Sequence, residues 1–487
     1  MITIITALVL TVSGFGDFRA RAENSWPDPA GITQNKWQGS SLVSYQRLRF
    51  HWGMWSAVFI TEKDQGEQWA DLVTAGVGYN NLQRFTAAAG WLQVQFAHGL
   101  LLNHPGPWSG GDPLELSKTP AWRLRLQPAE SPGASDARPL TGVAAQYVYS
   151  GITVSGVAGW SRIDPGTSGL HRSYSETQSR GTVDQKLAAA RVGWGPAGIS
   201  FACVSQSGGS TADTCSRVAA DFVFETQTSS LTGEVAADFD STFNFVVSAG
   251  AFQSGIRHAL TVSRYTGNWE RSAGEFGASH LIGVGYGLRW HAAQDVTLDA
   301  GALVLDREED DTFKAGIQLT ERIRSRTNLR QRLKLTATQQ ESTLRAQVTA
   351  SWSPYPDFTL SLKIPAAFYR STSNPKENGT GVEVRLKHSP VSALDITVSA
   401  AAGSTDGWNS RVYAYSLSFP GEFGSKALYN SSVLLQAAVC VHISDSATLR
   451  AKAGWFNMQN AVSIGSGSSE TQGSSRTTAG MQLDWEF

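Results

Sequence analysis

Short segments of alternating apolar and polar residues dominate this chain. After Trp37 they recur with lengths of about 9 to 14 residues, and Gly, Asn, Asp, Ser or Pro separates one from the next. Clear examples are Ile152 to Trp160, Leu344 to Trp352 and Val382 to Lys387. A period of two places apolar side chains on one face of a strand and polar ones on the other. The segment length fits a tilted strand that crosses a bilayer.

The last eleven residues, Thr477 to Phe487, show this alternation most strictly. The apolar face carries Met481, Leu483, Trp485 and Phe487. An aromatic residue at the very end of the chain, with another two positions earlier, resembles the terminal strand of bacterial outer-membrane barrels. That resemblance implies that this strand closes the barrel and is recognised by the barrel-assembly machinery.

These patterns predict an all-β fold, a transmembrane antiparallel β-barrel of about 24 strands within a range of roughly 20 to 26. Some connections are very short, whereas others are long and rich in Gly, Ser and Asp. The long ones are Asn103 to Thr119, Ile163 to Thr182, Ser205 to Thr214 and Asn457 to Ser475. Outer-membrane barrels have short periplasmic turns and long extracellular loops. Between residues 388 and 430 the sequence does not fit a strict alternation of short and long connections.

Composition supports the barrel and restricts the alternatives. The chain has 487 residues, of which 41% are hydrophobic and 17% are charged. Beyond the N-terminal region, no run of about 20 apolar residues could form a membrane-spanning helix. The 16 Trp and 12 Tyr residues are sufficient for aromatic belts at the membrane interfaces. A formal net charge of -1 argues against nucleic acid as a partner.

The N-terminal segment predicts export. Ile2 to Val12 has the length of a signal-peptide core, and Ala20-Arg21-Ala22 offers a cleavage site before Glu23. The expected division is a signal peptide at 1–22, a short periplasmic tail at 23–36 and the barrel at 37–487. A short membrane anchor is the alternative, but the apolar stretch is too brief to span a bilayer. The tail is also too short to form the plug domain of a TonB-type transporter.

Three cysteines give little chemical information. Cys203 and Cys215 flank a loop and could meet across a hairpin. The preferred interpretation is that all three cysteines are unpaired small residues. Cys440 lies in an apolar run. The spacing of Cys and His predicts no metal site, and no motif predicts a cofactor.

Residues 321–335 form the most basic part of the chain. Alternation places Arg322 and Arg324 on one face of a strand, and Arg330, Arg332 and Lys334 on one face of the next. Together these five residues are predicted to form a cationic patch on the lumen wall. The patch would attract anions, or it would be neutralised by carboxylates such as Asp306 or Glu341.

The sequence predicts no enzyme. It lacks the G-x-S-x-G, H-E-x-x-H and Walker motifs. Gly283, Gly285 and Gly287 have the wrong spacing for a dinucleotide-binding loop and are expected to face a closely packed part of the barrel. His171 stands among polar residues in SGLHRSYSE, where an ordinary loop role is favoured. A barrel hydrolase is the remaining enzymatic alternative.

Several segments together resemble a known family. They are AHGLLLN at 97–103, GVAAQYVYSGITVSGVAGWSRID at 142–164, SGLHRSYSE at 168–176, RVYAYSLSFPGEFGS at 411–425 and IGSGSSETQG at 464–473. The set is similar to the barrel region of outer-membrane proteins of Bacteroidetes-like bacteria that are named for a helix-hairpin-helix domain. The resemblance extends over residues 70–487. It implies a barrel without the helix-hairpin-helix domain and carries no functional residues over.

The expected location is the outer membrane, in contact with its lipids. The leading functional hypothesis is a conduit for polar solutes or for an exported macromolecule. The alternative is a surface or assembly scaffold that binds an unidentified protein partner through its long loops or its lumen.

Overall fold

A computed structural model shows a closed antiparallel β-barrel. It describes residues 14–69, 71–81, 84–104, 114, 124–129, 140–163, 172–173, 176, 178, 182–207, 213–238, 243–265, 280–306, 311–323, 326–420, 422 and 424–487. The main sheet contains 26 strands, of which two short ones, Asn103–His104 and Arg125–Pro128, pair only with one strand near its end. The other 24 strands form the ring, as the alternation predicts.

We number the ring strands β1 to β24. Their bounds are β1 Phe15–Trp26, β2 Val43–Trp52, β3 Trp55–Lys63, β4 Leu72–Asn81, β5 Phe85–Gln95, β6 Thr141–Tyr149, β7 Ile152–Ile163, β8 Val183–Trp194, β9 Ala197–Ser207, β10 Asp213–Glu225, β11 Ser229–Asp238, β12 Phe243–Gln253, β13 Ile256–Tyr265, β14 His280–Ala293, β15 Val296–Asp306, β16 Thr312–Ile323, β17 Thr327–Ala337, β18 Glu341–Tyr355, β19 Phe358–Ser371, β20 Glu377–Val391, β21 Leu394–Thr405, β22 Ser431–Ser444, β23 Ala447–Met458 and β24 Ser475–Glu486.

Smaller elements lie in the connections. Those with described bounds include the helix Ala30–Thr33, the 3-10 helix Gly467–Ser469, and two hairpins, Val412–Tyr415 with Ser425–Leu428 and Ser463–Ile464 with Thr471–Gln472. The described part of the chain contains no helix with the length and apolar character that a membrane crossing requires.

The barrel closes where β1 pairs with β24. The register runs from Asp17 opposite Glu486 to Trp26 opposite Thr477, and β2 covers the other edge of β1. At the end of the chain, Phe487 exchanges two backbone hydrogen bonds with Gly16, at 2.7 and 3.0 Å. The sheet therefore has no free edge at its first or last strand, as a barrel in lipid requires.

Side chains alternate between lipid and lumen on every ring strand. On the outer surface, Ile317, Leu333 and Val348 are 46%, 41% and 43% exposed. An exposed aromatic belt follows the ends of the strands that meet in short turns: Trp52, Trp55, Tyr149, Trp194, Trp290, Trp352 and Tyr355. Such a belt marks a membrane interface. The apolar outer face and the closed ring identify an outer-membrane protein.

The two ends of the barrel differ in the length of their connections. At one end, two or three residues separate consecutive strands, as between β2 and β3 or between β22 and β23. At the other end lie all the long connections, so we assign that end to the extracellular side. Residues 406–430, where the sequence pattern was ambiguous, form one long connection between β21 and β22. With that connection the alternation holds around the ring, except that the extracellular connection between β17 and β18 has only three residues.

The start of the barrel differs from the predicted boundaries. Residues 15–26, which the sequence analysis divided between signal peptide and tail, form β1. The expected cleavage position after Ala22 falls inside this strand, because Ala20-Arg21-Ala22 follows the same alternation as the rest of β1. Residues 27–42, assigned in part to the tail, connect β1 to β2. The signal peptide itself stays a prediction, and residues 1–13 lie outside the described part.

The three cysteines form no disulfide with one another. Cys203 lies on β9 and Cys215 on β10, but their registers place Val204 opposite Cys215 and Ser216 opposite Cys203. The two side chains therefore project from opposite faces of the wall, Cys203 outward with Phe201 and Cys215 inward with Arg217. This geometry excludes a disulfide between them.

Exchanging charge between the two faces of β17 tests the register. Leu333→Arg places a charge in lipid near the middle of the strand, and we expect it to lower the free energy of unfolding by about 2 to 4 kcal/mol. Arg332→Leu changes the adjacent lumen residue and should cost less. Urea titration of heat-modifiable protein in vesicles measures both effects. Equal losses, or a larger loss for Arg332→Leu, would contradict the assigned faces.

Candidate functional site

The lumen is the candidate site, and its wall begins with a charged network at the closing seam. Asp17 accepts hydrogen bonds from Arg47 Nη2 at 3.0 Å and from Arg49 Nε at 2.5 Å. Asp484, on β24, contacts Arg19 at 2.5 Å and also pairs with Arg450. Each carboxylate therefore holds two guanidinium groups from neighbouring strands. Such pairing offsets the desolvation that charges suffer in a narrow lumen.

A second part of the wall is covered by the chain itself. Phe96, Leu100, Leu101 and Leu102, which follow β5, are at most 3% exposed and pack inside the barrel. We call residues 96–102 the leucine segment. The wall behind it, on β6 to β12, offers mostly small apolar residues: Ala144, Val157, Leu187, Ala189, Ala202, Val204, Ala219, Ala236 and Val246. Small wall residues leave room for the segment, which thereby gains its own apolar core inside the lumen.

A buried carboxylate anchors the leucine segment to the opposite strands. Glu234 on β11 is 1% exposed, and its two oxygens accept the backbone N–H groups of Leu100 and Leu101 at 3.0 Å each. Backbone donors inside an apolar cluster need such an acceptor, because an unpaired N–H costs about 1 to 3 kcal/mol. His98 lies beside this anchor, and burial lowers its pKa to about 4, so the ring is neutral at pH 7.

A third element enters the lumen from the connection between β21 and β22. We call residues 406–430 the lumen hairpin, after its paired strands Val412–Tyr415 and Ser425–Leu428. Val412 and Leu428 are 2% and 1% exposed and belong to a cluster with the wall residues Ala367, Ala401 and Leu434. The wall contributes both small and large apolar residues here, because Phe456 and Met458 of β23 belong to the same cluster.

Polar contacts attach the lumen hairpin to β19 and β20. Lys363 Nζ donates to the carbonyl oxygen of Tyr413 at 2.7 Å, and Glu383 Oε2 accepts the N–H of Tyr415 at 3.0 Å. Glu377 accepts the N–H groups of Asn409 and Ser410 at 3.0 and 3.1 Å.

The far end of the lumen hairpin reaches the closing seam. There Glu422 forms ion pairs with Arg21 of β1 and Lys452 of β23, both at 3.0 Å. The hairpin is therefore attached at several points around the ring and narrows the lumen from the extracellular half.

Strands β16 to β18 form a different surface, which we call the cationic wall. Their lumen-facing charged residues are Lys314, Arg322, Arg330, Arg332, Lys334, Arg345 and Glu341. Six are basic and one is acidic, so the wall has an excess of positive charge. Lys334 stands opposite both Gly316 and Arg345 in the register, and Arg332 stands opposite Gln318.

The structure places the predicted neutralising carboxylates away from the centre of the cationic wall. Asp306 shares the outward face of β15 with Val304, and Glu341 accepts the Tyr369 hydroxyl at 2.7 Å. Among the described residues, no ion pair joins either carboxylate to Arg330 or Arg332. Arg332 Nε instead donates to the Gln318 side chain at 2.8 Å. A neutral amide leaves the charge of the guanidinium uncompensated.

Other predicted residues have different outcomes. Arg324, of the cationic patch, and His171 lie outside the described residues. Near His171, Arg172 lies over the Trp37 ring with 4.6 Å between its guanidinium carbon and the ring centroid, and Glu176 accepts the N–H groups of Arg172 and Ser173. The contact with Trp37 attaches Arg172 to the connection between β1 and β2.

The glycines of β14 line the lumen. Gly283, Gly285 and Gly287 are buried on the inward face, and Gly287 stands opposite Gly301 of β15. The terminal-strand residues Met481 and Trp485 lie on the outer face, 55% and 38% exposed. The ring centroids of Trp485 and Phe487 are 5.2 Å apart.

Neither element inside the lumen was predicted from the sequence. The leucine segment and the lumen hairpin belong to long connections, and alternation describes only strands. A usable signal exists in the wall itself, where each strand from β6 to β12 has at least one apolar side chain on its inward face although a water-filled lumen favours polar side chains.

Comparisons with known proteins add little beyond the fold. No protein-family model and no curated protein matches the chain. Among solved structures, the translocation pore of the P pilus usher PapC covers 97% of this chain and 99% of its own, at 10% identity and a TM-score of 0.43. The ferric-catecholate import receptor Fiu of E. coli K12 matches over 97% of this chain and 81% of its own, at 9% identity and a TM-score of 0.41. OmpT, an outer membrane protein of Vibrio cholerae, matches over 62% of this chain and 98% of its own, at 10% identity and a TM-score of 0.33. At such identities and TM-scores, these similarities carry no argument about function.

Proposed function

We propose that this outer-membrane barrel is a conduit for polar solutes with a preference for anions. The observation that carries the proposal is the cationic wall, with six inward basic residues and one acidic residue on three adjacent strands. Charges of one sign in a narrow cavity with low-dielectric walls concentrate counter-ions. Rings or rows of Arg and Lys have this role in anion pores.

The distribution of the remaining charge supports the same proposal. At the seam, Asp17 and Asp484 each contact two guanidinium groups, so two carboxylates compensate part of the charge of four arginines. On β8 and β10, Arg191 forms a two-point pair with Asp221 at 2.7 and 2.9 Å and is 3% exposed. Compared with the seam, basic residues outnumber acidic ones more strongly at the cationic wall, by six to one, and this wall lies between the two segments that fold inward.

In this proposal the leucine segment and the lumen hairpin set the width of the conduit. Both occupy the lumen, and both leave β16 to β18 outside their apolar clusters. The solute path therefore follows the cationic wall. A catalytic role is not part of the proposal.

A second candidate is a partner-binding scaffold. It is favoured by one observation, namely that two segments of the chain already fill part of the lumen and are anchored by buried contacts such as Glu234 with Leu100. A protein that needs only its outer loops would tolerate such filling. Conductance in planar bilayers separates the candidates, because a scaffold gives no discrete channel steps.

Neutralising the cationic wall should change ion selectivity. In Arg330→Gln/Arg332→Gln, the reversal potential in a salt gradient should shift toward cations while the amount of folded protein is unchanged. The wild-type preference should weaken at high salt, because the Debye length falls from about 10 Å at 0.1 M to about 3 Å at 1 M.

The matched control is Arg264→Gln/Arg370→Gln. It makes the same change in net charge at exposed positions whose neighbours Ser263 and Tyr369 face inward, so it removes charge from the outer surface. Its reversal potential should equal that of the wild type. Equal shifts in both double variants would contradict selection by the cationic wall, and a protein without conductance would favour the scaffold.

Removing the lumen hairpin should widen the conduit. Ser404 and Ser431 are register partners, so a short Gly-Ser connection can replace residues 407–429 without stretching β21 or β22. We expect a larger single-channel conductance in planar bilayers. A shortened 459–474 connection, which joins the paired residues Asn457 and Ser475, is the control. Unchanged conductance after removal of the hairpin would show that the solute path does not pass it.

A further inference from the structure

Three side chains with different metal-binding chemistry converge at the periplasmic mouth of the lumen. They are the carboxylate of Asp395 at the start of β21, and the thiol of Cys440 and the imidazole of His442 near the end of β22. One ligand atom from each lies within 4.8 Å of the other two. His442 Nε2 is 3.7 Å from Asp395 Oδ2 and 3.8 Å from Cys440 Sγ.

The strand register explains why the three meet. Cys440 and His442 are two residues apart on one strand, so both project into the lumen. Asp395 is the register partner of Cys440 on the neighbouring strand. A sequence scan finds only an isolated Cys-x-His, because the third group is far away in the chain.

Neighbouring hydroxyl groups orient two of the three side chains. His442 Nδ1 lies 3.3 Å from Thr448 Oγ1, and an N–H at Nδ1 that donates to this hydroxyl leaves the lone pair of Nε2 directed at Asp395 and Cys440. The Ser389 hydroxyl donates to Asp395 Oδ1, so Oδ2 remains for another partner. Outer contacts of this kind fix the ligand tautomer and orientation in metal sites.

The ligand set and its spacing fit zinc best. Zn²⁺ binds thiolate sulfur at about 2.3 Å and imidazole nitrogen or carboxylate oxygen at about 2.0 to 2.2 Å, so tetrahedral ligand atoms stand about 3.3 to 3.6 Å apart. The observed 3.7 and 3.8 Å to His442 Nε2 need only a small contraction, and the thiol and the carboxylate, which lie within 4.8 Å of each other, must approach by up to about 1 Å. Calcium and magnesium prefer oxygen ligands and would not use the thiol.

The surroundings allow an ion to reach the three groups. The side chains of Asp395 and His442 are 32% and 42% exposed beside short turns. Arg450, the register partner of Cys440, directs its guanidinium to Asp484, which takes up its charge.

We propose that Asp395, Cys440 and His442 bind a divalent transition-metal ion of the zinc class at the periplasmic mouth, with a fourth position open to water. This site does not depend on whether the lumen conducts. Its ligands come from two adjacent strands of the rigid ring.

Cobalt spectroscopy tests the site directly. In a Cys203→Ser/Cys215→Ser protein in detergent, Cys440 is the sole thiol, and Co²⁺ should produce a thiolate-to-cobalt charge-transfer band with the intense visible bands of tetrahedral cobalt. Zn²⁺ should displace the cobalt and slow maleimide labelling of Cys440 by about 10-fold or more, and a chelator should restore the rate. Absence of the band and an unchanged labelling rate would overturn the proposal.

Variants identify the ligands. His442→Ala and Asp395→Asn should abolish zinc protection of Cys440, and Thr448→Val should weaken zinc affinity about 10-fold or more through the orientation of His442. The matched control is His291→Ala, because His291 Nδ1 contacts Thr297 at 3.2 Å in the same arrangement on β14 and β15. If His291→Ala removes protection as His442→Ala does, or if neither does, the assigned ligands are wrong. The cobalt spectrum is recorded on a protein that retains Asp395, Cys440 and His442. A ligand variant that fails to fold therefore does not affect that measurement.

Discussion

Backbone hydrogen bonding between β1 and β24 is the constraint on which the rest of this structure depends. In lipid, an unpaired peptide group costs several kcal/mol, so a sheet can span a membrane only when its two edges meet. Here the first and last strands pair over ten register positions, and Phe487 continues the pairing with Gly16. Once the ring is closed, the period of two fixes which side chains meet lipid and which meet the lumen. The lumen chemistry described above follows from that assignment.

Inside the ring, the chain deals with enclosed polar groups in three ways. At the seam, carboxylates pair with guanidinium groups of neighbouring strands, as Asp17 does with Arg47 and Arg49. Along β6 to β12, mostly small apolar wall residues accept the leucine segment, and Glu234 takes the N–H groups of that segment. On β16 to β18, basic residues outnumber acidic ones, and Arg332 contacts a neutral amide. Apolar residues on β16 to β18 would stabilise the fold at least as well as these basic residues do. We therefore connect the basic residues with function.

The sequence allowed prediction of the ring but not of its contents. The alternation in Val382–Lys387 and in Met481–Phe487 reports local backbone geometry, and the all-β barrel of about 24 strands followed from it. β1 was missed because Ala20-Arg21-Ala22 satisfies both a cleavage pattern and a strand pattern. The lumen hairpin was missed because its anchors, such as Lys363 with Tyr413, join parts of the chain that no local pattern links. Cys440 appeared inert in the sequence because Asp395, the third member of its cluster with His442, is brought to it by strand register.

The most direct test of the account is a disulfide across the closing seam. Ala22 of β1 and Met481 of β24 are register partners on the outer face. In a background without native cysteines, Ala22→Cys/Met481→Cys should form a crosslink in isolated outer membranes, visible as a shift of the denatured protein on a gel. Ala22→Cys/Gln482→Cys, in which the second side chain faces the lumen, should not. A crosslink in the first pair alone establishes β1 as a ring strand in the membrane. Its absence, or a mature chain that begins at Glu23, would contradict the closure on which this account depends.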